Sequence, residues 1–268
     1  MTTVAVLGAG RIGKAVLAGL KRSGWPAEDL LATARRPERA AALESEFGIQ
    51  VVSNSEAVKR ADITVIAVKP QDAEALLEEL APSLSGDNPV VSLCAGLPTT
   101  FFEKRLPDGT PVVRAMTNTP ALVEEAVTVI SAGKQATEAH LRQAEQLFQP
   151  LGHTLHLDES HIDAVTALSG SGPAYFYYLV EGMIDAAILM GLPRSVAQEL
   201  IVQTATGAAA MLRDTGEHPV QLREAVTSPA GTTINAVREL ERHRVRAAIL
   251  DAAEAARDRA REIAGEYS

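Results

Sequence analysis

The first twenty residues place the strongest constraint on the fold. Residues 3–7 form a short apolar run typical of a buried strand, and the sequence Gly8-Ala-Gly-Arg-Ile-Gly13 follows at once. Residues 14–20 then carry apolar side chains at helical spacing. A GxGxxG sequence between a strand and a helix is typical of a unit that binds a dinucleotide at the helix N-terminus. A purely structural glycine turn is the alternative, but both flanking elements are of the type that dinucleotide binding requires.

Each glycine of this loop has its own physical purpose. Gly8 permits a tight turn, Gly10 lets a pyrophosphate approach the backbone, and Gly13 lets the helix pack closely on the strand. The loop is therefore predicted to bind the cofactor pyrophosphate, through Gly8, Ala9, Gly10, Arg11, Ile12 and Gly13.

The residues after the second predicted strand indicate which cofactor is bound. A site for NAD places Asp or Glu there, because the carboxylate accepts a hydrogen bond from the ribose 2′-hydroxyl. In this chain residues 30–33 are followed by Ala34, Arg35 and Arg36. Two guanidinium groups suit a 2′-phosphate, so NADPH is the predicted cofactor and NADH the alternative. The arginines could instead lie on a solvated loop before Pro37.

Four further apolar runs predict strands, at residues 49–52, 62–68, 89–93 and 110–114. In a doubly wound sheet, ligands bind outside the carboxyl ends of the strands. Residues just beyond these runs are therefore candidates for the cofactor site, although each could be an ordinary turn or helix start. Cys94 lacks the sequence context of a nucleophile and is interpreted as a small residue near the cofactor. The candidates are Lys69, Cys94, Ala95, Gly96 and Asn118.

Two more strands are predicted at residues 126–130 and 153–157, around a helix near residues 137–148. His153 and His156 would point to opposite faces of such a strand, so shared metal ligation is disfavoured. Cys94 is the only cysteine. No metal site and no disulfide are therefore predicted.

Composition excludes several classes of protein. The 268 residues carry a net charge of −9, which argues against nucleic acid or an anionic membrane as a general partner. No apolar run reaches the ~18 residues needed to span a bilayer, and the N-terminus lacks a basic-then-apolar signal pattern. With a single cysteine as well, a cytoplasmic protein is the simplest expectation.

The composition changes near residue 160. Before it, strands alternate with helices; from Asp163 onward only Ala-rich helical patterns remain, at residues 174–190, 196–212, 220–226 and 245–263. The sequence Ser169-Gly-Ser-Gly-Pro173 is expected to open the first long helix, with Ser171 as a candidate cap. That helix is apolar nearly all round, which indicates a subunit partner. We predict an α/β Rossmann-type domain at residues 1–160 and an all-α helical dimerisation domain at residues 161–268.

A loop in the helical half, Thr227-Ser-Pro-Ala-Gly-Thr-Thr233, runs directly into the apolar helical pattern of residues 234–240. The first N–H groups of a helix have no intrahelical partners, and the helix dipole favours an anion beside them. The loop could therefore bind a small anion. An ordinary helix cap made by Ser or Thr is the alternative.

The distribution of lysines restricts the chemistry. All six lysines lie in the first 134 residues, and Tyr175 and Tyr178 are not followed by Lys at the fourth position. Proton abstraction from an alcohol needs a base of that kind. Its absence favours a reaction that needs little acid–base help, such as hydride addition to a protonated imine.

Several motifs together closely resemble the pyrroline-5-carboxylate reductase family. The most specific are Asp163-Ala-Val-Thr-Ala-Leu-Ser-Gly-Ser-Gly-Pro-Ala174, Met190-Gly-Leu-Pro193 and Val226-Thr-Ser-Pro-Ala-Gly-Thr-Thr-Ile234. The glycine loop, Ala67-Val-Lys-Pro70 and Met116-Thr-Asn-Thr-Pro120 match in the same order, so the resemblance covers essentially the whole chain. It implies NAD(P)H-dependent reduction of L-1-pyrroline-5-carboxylate to L-proline, the last step of proline biosynthesis. It also implies a homodimer through the helical domain, with assembly of five dimers into a decamer as a further option.

The resemblance also implies roles for individual residues. Thr233 would hydrogen-bond the imine nitrogen as the catalytic residue. Ala230 stands where many relatives carry a second glycine, and the loop is still expected to form with alanine there. Glu159 would match an acidic position near the active site. The implied substrate-binding residues are Glu159, Ser228, Gly231, Thr232 and Thr233; besides the glycine loop, the cofactor would contact Arg35, Arg36, Asn54, Ala67, Val68, Lys69, Pro70, Cys94, Ala95, Gly96 and Asn118.

Two other functions are compatible with parts of the sequence. A different NADPH-dependent imine or β-hydroxyacid reductase could share the architecture, but the lysine distribution and the residue 228–233 loop argue against it. A non-catalytic protein that senses NADP would be expected to have a damaged substrate loop, whereas this loop is intact.

Overall fold

An eight-stranded sheet forms the centre of the N-terminal half of the chain. The structure is a computed structural model and describes residues 2–266. All eight predicted strands are present, each to within two residues at either end. They are β1 (Val4–Leu7), β2 (Leu30–Thr33), β3 (Gln50–Val51), β4 (Ile63–Ile66), β5 (Val90–Ser92), β6 (Val112–Met116), β7 (Ala126–Ala132) and β8 (Gly152–His156).

The strand order is β3-β2-β1-β4-β5-β6-β7-β8. Neighbouring strands are parallel except for β6 and β7, which are antiparallel. Strand β1 lies between β2 and β4, with Val4 beside both Leu30 and Ile63. The chain therefore proceeds to one side of β1 first and then to the other. This reversal is the topological switch at which open α/β sheets bind ligands.

Helices cover both faces of this sheet. Pro37 and Pro70 occupy first helical positions, where the missing N–H costs nothing, and Ser53 caps a third helix by accepting from the Glu56 amide. Gly48, at φ +66°, ends the helix that Pro37 begins. These helices are α1 (Arg11–Arg22), α2 (Pro37–Phe47), α3 (Asn54–Arg60), α4 (Pro70–Leu80), α5 (Thr99–Glu103) and α6 (Glu138–Phe148).

The core consists of two apolar layers, one on each face of the sheet. Along β1, Val4 and Val6 point into one layer and Ala5 and Leu7 into the other. All four residues are fully buried. A strand buried on both faces reads as a continuous apolar run, which is why residues 3–7 were recognisable as a strand.

Helices follow β8, and they begin earlier than expected. The short helix α7 (Ile162–Val165) continues through a π-helical turn (Thr166–Gly170) into α8 (Gly172–Leu189). Helix α8, the first long helix, therefore begins within Ser169–Pro173 as expected, with Ser171 directly before its first residue, but the short helix and π-helical turn before it were not predicted. The role of Ser171 as a cap stays a prediction. The remaining helices are α9 (Arg194–Thr215), α10 (Pro219–Ala225), α11 (Thr232–Arg242) and α12 (Val245–Glu266).

The chain divides into two compact units, Met1–Ser171 with Ala256–Ser268, and Gly172–Ala255. The second unit contains only helices, and α8 and α9 are neighbours within it. Few of its side chains are buried, whereas Tyr178 and Leu189 are 78% and 88% exposed. A unit with so little buried apolar surface needs a partner to cover the remainder.

Candidate active site

The glycine loop is packed so tightly at Gly8 and Gly13 that neither can be replaced without movement of its neighbours. Gly8 has φ +86°, in the left-handed region, and a Cβ there would lie 2.6 Å from Val68 Cγ1. A Cβ on Gly13 would lie 2.7 Å from the Gly8 carbonyl oxygen. At Gly10 no heavy atom lies within 4 Å of the Cβ position. The loop is thus packed behind and open in front, as a dinucleotide pyrophosphate requires.

The N-terminus of α1 is arranged to receive an anion. Its N-cap is Gly10, no side chain caps it, and its first turn contains no acidic residue. The first backbone N–H groups of the helix therefore face the space before Gly10 without a competing carboxylate. Because β1 ends at the topological switch, this helix N-terminus lies where the fold is expected to bind its ligand.

The predicted adenosine corner combines two arginines and an amide. Arg35 follows β2, and its Nη1 lies 3.1 Å from Asp72 Oδ1 in the first turn of α4. Arg36 is the N-cap residue of α2 and is exposed. Asn54 is the first residue of α3, and its Nδ2 donates to Glu79 at 3.0 Å. Arg35 and Arg36 thus follow β2 directly, next to the glycine loop at the end of β1.

The other predicted cofactor residues follow β4 and β5. Ala67 and Val68 line the back of the glycine loop, while Lys69 is exposed at the N-cap of α4 with Pro70 after it. Ala95 is exposed and Gly96 is buried. Gly96 has φ +79°, and a Cβ there would lie 2.5 Å from Ile263 Cγ2. The residues from both strand ends therefore line the same edge of the sheet as the glycine loop.

Cys94 is a buried, neutral thiol. Burial raises its pKa to about 11, against smaller lowering effects of hydrogen bonds involving Ser92 and the Val68 carbonyl. The thiol donates to the Val68 carbonyl oxygen at 3.4 Å. A nucleophilic cysteine needs the thiolate, so this environment fits the interpretation of Cys94 as a packing residue.

Asn118 makes hydrogen bonds within the protein on both sides of its amide. Its Nδ2 donates to the Ser169 carbonyl and hydroxyl oxygens, both at 3.3 Å, and its Oδ1 accepts from the Val127 amide at 3.3 Å. A Cβ on Gly170 would lie 2.5 Å from Met116 Cε. Two motifs that lie 50 residues apart in the sequence are thus in contact at the π-helical turn.

Glu159 is also bound to the protein itself. Its carboxylate accepts from the backbone N–H and the hydroxyl of Thr99, both at 2.7 Å, and forms an ion pair with Arg114 at 3.1 Å. Arg114 lies in β6 and its side chain is only 6% exposed, so it needs such a partner. Through these bonds Glu159 connects β6 and the start of α5 to the segment that leads into α7.

Sequence analysis missed Thr99 and Arg114. A single arginine in an otherwise apolar strand was a detectable signal, because a charged residue on a buried strand requires a partner. The sequence did not show which carboxylate that partner would be, since Glu159 lies 45 residues away.

The predicted substrate loop in the helical unit is compact and strained at one residue. Ala230 has φ +58°, a left-handed conformation that disfavours residues with a Cβ. The Gly231 amide donates to the Ser228 carbonyl at 3.1 Å, and a Cβ on Gly231 would collide with the Ser228 hydroxyl. The loop forms with Ala230 in place, which resolves the question raised by this departure from the family pattern.

The same loop leaves the N-terminus of α11 without a side-chain cap. The N-cap residue is Gly231, no side chain accepts from its first amides, and the first turn contains no acidic residue. The alternative of an ordinary Ser or Thr cap is therefore not what the structure shows. Thr232 and Thr233 begin the helix, and Asn235 Nδ2 donates to the Gly231 carbonyl at 2.9 Å. The amides without a side-chain cap can donate hydrogen bonds to a carboxylate.

Within residues 2–266, no group of three or more His, Cys, Asp or Glu side chains is placed to bind a metal ion. The helices of this described part include none with the length and apolarity to cross a membrane.

Two family models match the chain. Residues 159–263 match the model described as pyrroline-5-carboxylate reductase dimerisation. Residues 3–96 match the model described as NADP oxidoreductase, coenzyme F420-dependent. The first covers the helical part, and the second covers β1 to β5 and the candidate cofactor residues except Asn118.

Full-length relatives agree with these models. Pyrroline-5-carboxylate reductase from Mycobacterium tuberculosis is 41% identical over 286 aligned positions, covering 98% of this chain and 97% of the relative. The structure of the enzyme from Coxiella burnetii has a TM-score of 0.92 at 33% identity, with 98% of each chain covered. The Plasmodium falciparum enzyme, solved with NADP bound, has a TM-score of 0.89 at 28% identity, again with 98% of each chain covered.

The fold and the glycine loop define an NAD(P)-dependent oxidoreductase with a Rossmann-type domain followed by a helical dimerisation domain. The family model for the helical half and the full-length relatives identify the family within this class. The chain belongs to the pyrroline-5-carboxylate reductase family, whose members reduce pyrroline-5-carboxylate to proline with a nicotinamide cofactor. Its dimerisation domain makes the protein a homo-oligomer.

The strain at Ala230 predicts opposite effects for two identical substitutions. Ala230→Gly is expected to stabilise the protein by up to about 1 kcal/mol, because the left-handed strain exceeds the added unfolded-state entropy. Ala236→Gly, in the interior of α11, is expected to destabilise it by about 1 kcal/mol. Thermal unfolding at one protein concentration measures both. Equal destabilisation by the two substitutions would contradict the left-handed conformation at residue 230.

Proposed function

We propose that this chain reduces L-1-pyrroline-5-carboxylate to L-proline, the last step of proline biosynthesis, with NADPH as the preferred cofactor and NADH as a weaker alternative. The observation that carries the proposal is the uncapped N-terminus of α11, preceded by a tight loop of the family sequence. It offers hydrogen-bond donors for a small carboxylate in a chain that also carries a dinucleotide loop. A reductase of a small carboxylated imine needs both features.

The substrate carboxylate is assigned to the loop before α11. The amides of Thr232 and Thr233 and the hydroxyl of Ser228 would donate to it, assisted by the helix dipole. Gly231, whose own amide donates to the Ser228 carbonyl, would belong to the site as the N-cap that brings the loop close to the substrate. The hydroxyl of Thr233 would hydrogen-bond the ring nitrogen, which changes from a protonated imine to an amine. Glu159 is kept in the substrate-binding set on the resemblance. Its bonds to Thr99 and Arg114 suggest that it acts by positioning the segment around it.

The cofactor is assigned to the edge of the sheet formed by the ends of β1, β2, β4, β5 and β6. The glycine loop would hold the pyrophosphate, and Arg35, Arg36 and Asn54 the adenosine end. Residues 67–70 and 94–96, with Asn118, would lie on the nicotinamide side. NADPH supplies a hydride when bound, and the protonated imine is electrophilic enough to accept it.

The tasks left to the protein are orientation and electrostatics. Fixing the carboxylate at α11 orients the ring, and placing a hydroxyl at the nitrogen stabilises the transition state. Neither task needs a strong base, in agreement with the neutral Cys94 thiol and with the lysine distribution. The Thr233 hydroxyl can both donate and accept, so it suits the nitrogen before and after reduction.

The proposal also assigns a role to each domain and an oligomeric state to the protein. Residues 1–160 would bind NADP, and residues 161–268 would form the dimer and supply the substrate loop, as the dimerisation model at residues 159–263 supports. The dimer is proposed to be the minimal active unit, and a decamer of five dimers is a further possible assembly. We place the enzyme in the cytoplasm, where a buried thiol such as Cys94 stays reduced.

The loss of NADPH absorbance after addition of pyrroline-5-carboxylate tests the activity directly. Substrate-dependent oxidation of NADPH with formation of proline is expected. A protein that binds NADPH but oxidises none in the presence of this imine would be a cofactor-binding protein of another kind.

Thr233→Ala is expected to lower kcat/KM for the imine by roughly 10- to 100-fold, because a hydrogen bond to a charged group contributes about 1.5–3 kcal/mol. The dissociation constant for NADPH should remain near the wild-type value. Thr233→Ser keeps the hydroxyl and should recover most of the activity. Steady-state kinetics with cofactor titration separates the effects; unchanged kcat/KM in Thr233→Ala would eliminate this role.

Replacing Arg35 and Arg36 by serine together is expected to reduce the preference for NADPH over NADH by at least about tenfold, since charge-assisted bonds to the 2′-phosphate are lost. The value of kcat/KM with NADH should change little. Measurement with both cofactors checks this. Equal kcat/KM for NADPH and NADH in the wild-type enzyme would count against the assignment.

A further inference from the structure

Arg39 makes an unusual contact with the glycine loop. It lies in α2, three residues after Arg36, and its guanidinium donates twice to a single acceptor, the carbonyl oxygen of Ala9. The Nε and Nη2 atoms lie 3.2 and 2.7 Å from that oxygen. Ala9 is buried at 5% exposure, and Arg39 is half-buried. The contact connects α2 to the middle of the Gly8–Gly13 loop.

This contact fixes one peptide plane of the loop. The peptide between Ala9 and Gly10 is planar, and in the trans form its carbonyl and its N–H point in opposite directions. Arg39 holds the carbonyl end, and the Gly8 carbonyl oxygen accepts from the Gly10 N–H at 2.8 Å. Both polar ends of the peptide are therefore bonded. The next amides, from Arg11 onward, belong to the uncapped N-terminus of α1.

We propose that Arg39 is a positioning residue for the cofactor, which it serves by holding the Ala9–Gly10 peptide so that the α1 amides face the pyrophosphate. Small residues make the loop flexible when it is not supported, since glycine has the largest conformational freedom. A bidentate guanidinium supports it where a lysine could not, because an ammonium is a point charge without a planar fork. The inference rests on the proposed binding of NADP at this loop.

The role differs in a measurable way from that of Arg35 and Arg36. The pyrophosphate is common to NADP⁺ and NAD⁺, whereas the 2′-phosphate belongs to NADP⁺ alone. Loss of Arg39 should therefore weaken the binding of both ligands by the same factor and leave the ratio of their dissociation constants unchanged. Loss of Arg35 and Arg36 should weaken the binding of NADP⁺ and change that ratio.

Isothermal titration of the full-length protein with NADP⁺ and with NAD⁺ tests the inference. Arg39→Met keeps the length of the side chain without its donors or charge, and we expect both dissociation constants to rise about tenfold, the size of effect that loss of charge-assisted bonds produces. In kinetics, KM for NADPH should rise while kcat stays near wild type. Arg39→Lys should recover only part of the affinity. Arg60→Met, which removes an arginine of α3 paired with Glu56, is the matched control and should leave both constants unchanged.

The outcomes separate the inference from the function it rests on. Wild-type protein that binds NADP⁺, together with unchanged constants in Arg39→Met and Arg39→Lys, overturns the role of Arg39 alone. Loss of NADP⁺ affinity without loss of NAD⁺ affinity also overturns it, and reassigns Arg39 to the 2′-phosphate. Wild-type affinity in Arg39→Lys would show that the positive charge, and not the planar guanidinium, is what the loop needs, and it overturns the proposed positioning by the guanidinium. Wild-type protein that binds neither ligand overturns the proposed cofactor site itself. If Arg39→Met does not fold, Arg39→Lys, with its expected partial loss, decides.

Discussion

Burial of the central strands on both faces is the constraint from which the rest of the cofactor domain follows. The residues of β1 and β4 have almost no exposed surface, because apolar layers cover the sheet above and below. Such strands offer a ligand nothing along their length, and only their ends are accessible. At the carboxyl ends, backbone groups are released from the sheet and the next helix begins with unpartnered amides. The proposed cofactor site is assigned to this edge for that physical reason.

Not every polar residue at that edge has the same relation to a ligand. Asn118 and Glu159 form hydrogen bonds with the protein, and both connect the sheet to the segment that leads into α7 and α8. The ends of α1 and α11 are different, since neither has a side-chain cap or an acidic first turn. The polar groups of Asn118 and Glu159 are thus paired within the protein, whereas the N-termini of α1 and α11 have no side-chain cap and are available to anions.

Much of this fold could be predicted because its signals are local. Eight apolar runs predicted eight strands, and the glycine pattern predicted the dinucleotide loop that the tight packing of Gly8 and Gly13 supports. The antiparallel direction of β7 could not be predicted, since an apolar run reads the same in either direction. The short helix α7 and the π-helical turn were missed, because the residues around Ser169 were interpreted only as the start of the long helix that follows them. The partner of Arg114 depends on contacts distant in sequence. The assigned ligand contacts stay predictions, since a sequence pattern identifies a loop without showing what occupies it.

The helical unit buries too little apolar surface within one chain to be stable without a partner. In α8 the aromatic residues Phe176, Tyr177 and Tyr178 are each more than 60% exposed, and hardly any side chain of the unit is buried within one chain. Exposed apolar surface of this extent favours association at roughly 25 cal/mol per Å² buried. An apolar helix with no polar face can be stable only when other helices surround it. The stability of this unit must therefore depend on protein concentration, as in any dimer whose isolated subunit lacks a sufficient core. Because the loop before α11 belongs to the same unit, the geometry of the proposed substrate site is expected to depend on association as well.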